Sequence, residues 1–246
     1  MVKECELLIQ DAAVMTDYQT IRKGMDVAVG DGKILAVFPH GEEEWEGKEI
    51  LSGKDRVFMP GLIDSHMHTG QQLLKGLVLD ARPVIWTRVM LPFESTLTPE
   101  RMKLSAGLAA LEMIRCGTTG FVESGSYYME EAAAVYEKSG LRGRLSCSTM
   151  DEPGLPLSIA MDGEEAVRRM DRLYEDWNGR GNLKVYYSLR ALNSCSSRLV
   201  AMTAEHAAER GAILQAHMNE YQGEVEGMIR REGTRPYEYL EQMGVL

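Results

Sequence analysis

Five histidines occur in the 246 residues, and two of them stand one residue apart in GLIDSHMHTG, residues 61–70. On an extended strand, positions i and i+2 project from one face, so His66 and His68 point together. Side by side at the end of an apolar run, two imidazoles can grip a metal ion or be a chance pair on an exposed strand. Two ligands alone leave a site such as zinc's incomplete. A further histidine, His217, closes another strand-like run in LQAHMNE. Three histidines from strand ends make an open site with positions left for water. Three residues on, Glu220 is the right kind of group to carry a proton for a metal-bound water, whose pKa falls to about 7. His40, in a turn-rich segment, and His206, inside TAEHAAE, are expected to be structural.

Such a site needs elements that bring distant strand ends together. Residues 4 to 58 read as short strands broken by turns: ECELLIQDAAVMT, then MDVAVGDGKILAVFP, where Asp31-Gly32 between alternating apolar runs signals a hairpin. The acidic GEEEWEG reads as a solvated loop, and helical periodicity begins only near residue 98. From VFMPGLIDSHMH onward, strands alternate with helices. The helix TPERMKLSAGLAALEMIRC takes Thr98 as N-cap and Pro99 as its first residue, and Gly117 ends it. Five strands are predicted, near 60–66, 118–124, 143–149, 183–189 and 212–218, each short, apolar and separated by helices as parallel β/α units require.

A doubly wound sheet and a (β/α)8 barrel of the TIM type both fit this alternation. His66, His68, Glu123, Ser124, Ser148, Arg190 and His217 all fall at or just beyond strand C-termini, the catalytic rim of a barrel. No G-x-G-x-x-G opens a helix after the first strand, which weakens a dinucleotide-binding alternative. The predicted organisation is α/β: a small β layer at 1–58, expected as a β-sandwich segment, then a partial barrel of about five β/α units at 59–246.

The net charge of −10 offers phosphates no basic surface, which argues against a general nucleic-acid binder. No apolar run approaches the roughly 18 residues a membrane span needs, and the start, MVKECELLIQDAAVMT, is not a secretory signal. Cys5, Cys116, Cys147 and Cys195 are far apart and form no CxxC pair, the pattern of reduced thiols in the cytoplasm.

PGLIDSHMH resembles the first-strand signature of the metal-dependent amidohydrolase superfamily, and HMNE resembles the fifth-strand H-x-x-E of its aminohydrolase branch. That branch includes deaminases of S-adenosylhomocysteine and methylthioadenosine, guanine deaminases and chlorotriazine hydrolases. The resemblance runs through essentially the whole chain, DVAVGDGKILAV and RCGTTGFVES included. It implies that His66, His68 and His217 bind one divalent ion, zinc or alternatively iron, and that Glu220 is the proton shuttle. It further implies that Trp86 in PVIW lines the substrate pocket and Glu94 in LPFES holds the substrate. Lys184 starts its strand, badly placed for the bridging modified lysine of two-metal members, so one metal is expected.

Two departures from the pattern shape the expectation. Arg190, in YYSLRALNSCS, stands where adenosine-type deaminases carry a substrate-binding histidine, and Cys147 lies where arginine partners are expected. Arg190 is expected to meet a carboxylate or a carbonyl-rich ring, because a guanidinium fork suits such groups. Family members also continue into a sixth strand with a histidine and an eighth with a metal-binding aspartate. A second polypeptide, or a severed C-terminal part, is therefore expected to complete the barrel in an oligomer. The implied activity is hydrolysis of a C–N bond on a small nitrogen heterocycle with release of ammonia. The alternatives are a cyclic amide or halogenated ring as substrate, or a metal- or ligand-binding remnant without turnover.

Overall fold

The computed structural model describes residues 2–82 and 84–246. The chain divides into two units, the first ending at Gly61 and the second running from Leu62 to Leu246.

In the first unit, alternating apolar residues make a strand with one buried face. β1 (Lys3–Asp17) buries Cys5, Leu8, Ala12 and Val14, and is flanked by β2 (Thr20–Gly30) on one side and β4 (Trp45–Ser52) on the other. β3 (Lys33–Pro39) pairs with β2, and β5 (Val57–Phe58) pairs with the far end of β1. Among the described residues these strands form a single mixed sheet, so the sandwich expected for residues 1–58 is present here as one sheet. Asp31 and Gly32 both take positive φ, 51° and 68°, the left-handed pair that folds β2 onto β3 with the twist of the strands. The expected loop GEEEWEG is a strand in its second half. The Trp45 ring stacks on Phe38 at 6.2 Å, and this apolar contact draws the acidic segment into parallel pairing with β1.

The second unit is built of parallel strands with helices between them. β6 (Leu62–Met67), β7 (Thr118–Glu123), β8 (Arg142–Leu145) and β9 (Leu183–Val185) follow one another across a sheet. The strand expected over 183–189 is broken at Tyr186: β9 pairs with β8, whereas β10 (Tyr187–Leu189) pairs with β11 (Leu214–Ala216). The Tyr186 N–H still reaches the Leu145 carbonyl at 3.0 Å and the Tyr187 N–H reaches that of Ile213 at 2.9 Å, so the wall passes through the break. This is an α/β fold with part of a (β/α)8 barrel. β6 and β11 are its open edges among the described residues.

Seven α-helices are described: α1 (Leu91–Glu94), α2 (Pro99–Arg115), α3 (Met129–Ser139), α4 (Gly163–Trp177), α5 (Ser197–Glu209), α6 (Gln222–Glu232) and α7 (Pro236–Gln242). Thr98 caps α2 by accepting from Arg101 N–H at 3.3 Å, Asp162 caps α4 from Glu165 at 2.7 Å, and Ser196 caps α5 from Leu199 at 3.1 Å. Each such cap contributes about 1 kcal/mol. The expectation that helical structure starts near 98 is corrected by a 3-10 turn at Thr69–Leu74, a π-helical stretch at Trp86–Met90 and α1. These pieces are too short to show a 3.6-residue period in sequence.

The core lies between the outer faces of the strands and helices α2 to α4. Met67, Phe121, Leu145 and Tyr187 meet Met102, Ala106, Ala109, Ala133, Tyr136 and Met170 there. The alanines let α2 and α3 pack closely. At Gly143 a Cβ would stand 2.7 Å from Phe121 Cζ, so only glycine fits under that ring. No helix among the described residues is long and apolar enough to cross a membrane.

Candidate metal centre and substrate pocket

Alternation on β6 separates core from site. Met67 enters the core at 7 % exposure, while His66 and His68 on either side of it project to the opposite face. His217, just past β11, completes a group in which one ligand nitrogen from each histidine lies within 4.8 Å of the others. The three rings stand 5.0–5.2 Å apart between centroids, and Nε2 of His68 is 3.2 Å from Nε2 of His217.

Neighbouring groups fix the ring orientations. His68 Nδ1 lies 3.1 Å from the Gly125 carbonyl, which can only accept, so the proton sits on Nδ1 and the Nε2 lone pair is free. His66 Nδ1 is 3.0 Å from Ser124 Oγ. Burial, then the Arg190 charge, pushes His68 down to about 2 and His217 down to about 4. Both are therefore neutral, the ligating form of imidazole. Three nitrogens within reach of one ion, two held neutral and one with its second nitrogen hydrogen-bonded, fit a divalent cation such as zinc.

Beside the histidines is a buried ion pair. Arg190, just beyond β10 and 4 % exposed, donates from Nη2 to Glu94 Oε1 at 3.2 Å and from Nη1 to the Gly125 carbonyl at 2.7 Å. Its guanidinium lies over the Trp86 ring, 5.6 Å from the centroid. Glu94, 1 % exposed at the end of α1, also receives Gln71 Nε2 on Oε1 at 2.7 Å. The carboxylate that Arg190 meets in the structure is thus the protein's own. Gly125 takes φ +99°, and a Cβ there would lie 3.0 Å from the Cys147 carbonyl, so glycine is required where the chain turns past β7.

The other expected residues fall as follows. Glu220 is exposed, three residues past His217. Asn219 before it adopts φ +58°, and the Glu220 N–H donates to Glu224 Oε2 at 3.0 Å, which fixes the turn that carries it. Trp86, Glu94 and Arg190 come together, and Arg190 Nη1 lies 3.1 Å from His68 Nδ1. Lys184 is exposed on β9. His40 pairs with Asp26 at 2.8 Å and His206 with Asp171 at 2.9 Å, and neither is among the three clustered histidines.

Two buried residues around the site have structural work. Glu123, fully buried, accepts from Thr69 N–H and Ser126 Oγ, each at 2.7 Å, and burial raises its pKa to about 7. Burial also pushes the Cys147 thiol up to about 12, which leaves it inert. Sequence reasoning missed Gly125, because GSYY between β7 and α3 has neither a period nor a motif to mark it.

Residues 57–246 match the Amidohydrolase family, and the chain belongs to that family. Among its relatives, the 5′-deoxyadenosine deaminase of Methanosarcina mazei is 32% identical over 245 residues, covering 97% of this chain and 55% of the relative. The 5-methylthioadenosine/S-adenosylhomocysteine deaminase of Caldanaerobacter subterraneus subsp. tengcongensis is 30% identical over 199 residues, covering 80% of this chain and 45% of the relative. The crystal structure of an adenosine deaminase from Xanthomonas campestris with bound zinc superimposes with TM-score 0.91 at 25% identity, covering 100% of this chain and 56% of that one. The chain spans about half the length of the curated relatives it matches.

Proposed function

We propose that this protein supplies the histidine ligands, the proton shuttle and part of the substrate pocket of a metal-dependent aminohydrolase acting on a C–N bond of a nitrogen heterocycle. The observation that carries this is the convergence of His66, His68 and His217 from strand ends 149 residues apart in sequence, with two of the three held neutral. The deaminase relatives support the reaction class. One zinc ion, with iron as the alternative, would be held by the three histidines and would supply the Lewis acidity that makes water a nucleophile at neutral pH.

The chain's own residues account for the rest. Gly125 and Ser124 fix the rings of His68 and His66. Glu220 takes a proton from the attacking water and delivers it to the ring nitrogen next to the reacting carbon. The water's second proton goes to the exocyclic amine, which leaves as ammonia while the carbon keeps the oxygen. Trp86 closes the pocket over Arg190, and Glu94 offers its second oxygen to the substrate. Two free cysteines in the core, Cys147 and Cys195, suit the reducing cytoplasm.

We also propose that further strands, from a second polypeptide or more of the same one, cover the open edges. Leu62 and Ile63 on β6 are 53% and 73% exposed, and Leu104, Leu108 and Leu111 form an exposed apolar stripe on α2. The test combines zinc stoichiometry with ammonia release from 5′-deoxyadenosine, 5-methylthioadenosine and guanine. The 246-residue protein is assayed alone and with any polypeptide that co-purifies. Glu220→Gln should keep the metal and lose about 10²–10⁴-fold in turnover. Near-normal turnover in that variant removes Glu220 from the mechanism, and metal without ammonia from any ring refutes the aminohydrolase assignment.

A further inference from the structure

Helix α2 is apolar on two opposite sides. Met102, Ala106, Ala109 and Met113 face the core. At about 100° per residue, the direction opposite to them carries Glu100, Leu104, Gly107, Leu108, Leu111 and Arg115. The three leucines of this outer row are 63%, 39% and 56% exposed. A surface helix ordinarily turns polar residues outward, so three leucines in one row mark a contact face. The flanks of α2 are already engaged. Lys103 pairs with Glu131 of α3 at 2.9 Å on one side, and Glu112 pairs with Lys75 on the other. A helix following a strand added beyond β6 would pack on the second flank, as α3 packs on the first. The row is therefore the part of the exposed apolar surface that completion of the barrel leaves uncovered.

Gly107 stands in the middle of the row. Glycine inside a helix is less stable than alanine, and nothing in this chain requires it there. It does not take positive φ, and a Cβ at Gly107 would meet no atom within 4 Å. The use that remains lies outside the chain, because the distance between two crossing helices is set by the side chains at the contact. The order of residues identifies the partner. Read from either end, the row is the same with its charges exchanged: Glu100 answers Arg115, Leu104 answers Leu111, and Gly107 answers Leu108. An antiparallel copy of α2 would thus set Glu100 against Arg115 of the partner subunit at both ends, with leucines between. A parallel copy would set like charges together. The ion pairs that α2 makes among the described residues use Lys103 and Glu112, which leaves Glu100 and Arg115 for this contact.

We infer that the outer face of α2 is a two-fold contact between two copies of this chain. The helices cross antiparallel at Gly107, and Glu100 closes each end against Arg115 of the partner subunit. Such a contact is self-complementary and stops at two copies. A single helix pair buries less than about 1,000 Å², below a standard interface. The dimer is accordingly a weak one, with a dissociation constant on the order of micromolar. The contact is independent of the histidine cluster and of the reaction proposed for it.

The test is analytical ultracentrifugation over a range of concentrations, on the 246-residue protein with any polypeptide that co-purifies. Wild type should double its mass between about 1 and 100 µM. Gly107→Leu and Leu111→Lys should each raise the dissociation constant more than about 10-fold. Neither should lower the urea midpoint, since both positions face outward in a single copy. Glu100→Arg and Arg115→Glu should each weaken the dimer about 3- to 30-fold, because each sets like charges together at both ends. An equimolar mixture of these two variants should recover the wild-type constant, since every end contact then joins opposite charges. A mass that stays constant up to about 100 µM overturns the inference. So does association that all four variants leave intact, which would place the contact at the open strand edges. A mixture that associates no better than its components has the same force. If Gly107→Leu or Leu111→Lys lowers the urea midpoint instead, the row is covered within one copy and the inference fails.

Discussion

Replacing Arg190 by methionine should destabilise the second unit strongly, because it strands a carboxylate. Glu94 is 1 % exposed, and its protein contacts besides Arg190 Nη2 at 3.2 Å reduce to Gln71 on the same oxygen. At 3.2 Å the pair's attraction is about 5 kcal/mol for an effective dielectric constant near 20. Removing one partner of a buried pair costs about 3–5 kcal/mol, since the other charge stays desolvated. Against a net domain stability of about 5–15 kcal/mol, that is a large share. The Glu94→Gln/Arg190→Met double variant removes both charges and should recover most of the loss. The assay is urea unfolding at neutral pH followed by circular dichroism, for wild type, both single variants and the double. If Arg190→Met lies within about 1 kcal/mol of wild type, or if the double variant is no more stable than the single, the pair is not a buried, mutually dependent one.

Removing a metal ligand should exceed the effect of removing its support. Ser124→Ala should lower zinc affinity by about 10–100-fold and His217→Ala by more than that, measured by competition with a chelator. Gly143→Ala should destabilise by about 1–3 kcal/mol in the same urea assay, because the new methyl overlaps the Phe121 ring. Glu165 on α4 is held down at about 2 by Arg169, Arg168 and Arg172. A depressed folded pKa stabilises fully above the unfolded value of 4.5, and the contribution is lost as pH falls toward 2. Glu165→Gln should therefore cost less than about 1 kcal/mol at neutral pH, this being an exposed network. The difference from wild type should vanish in acid melts; a difference that persists at low pH would contradict the ion-pair assignment.

The long helices were legible because their signals are local. Thr98, Pro99 and Gly117 bracket α2 by capping chemistry that needs no tertiary partner, and α3, α4 and α5 carry their own apolar periods. The HMH pair was legible for a similar reason, since strand geometry alone puts both rings on one face. What escaped was decided by tertiary contact. Trp45 lies in an acidic run and becomes strand through its stacking on Phe38. Tyr186 interrupts a continuous apolar run because the sheet changes partner there. The pairing of Arg190 with Glu94 joins residues 96 apart, and its geometry depends on α1, a helix of four residues too short to announce itself. Gly125 is ordinary in sequence and becomes informative only when its carbonyl is seen to accept from both His68 and Arg190.

The Gly125 carbonyl has a consequence for tuning. One oxygen accepts from both His68 Nδ1 and Arg190 Nη1, which themselves lie 3.1 Å apart. Glu94 holds Arg190, and Arg190 and His68 share the peptide plane of Gly125. A substitution that moves this peptide plane therefore disturbs the His68 ring and the Arg190 guanidinium together.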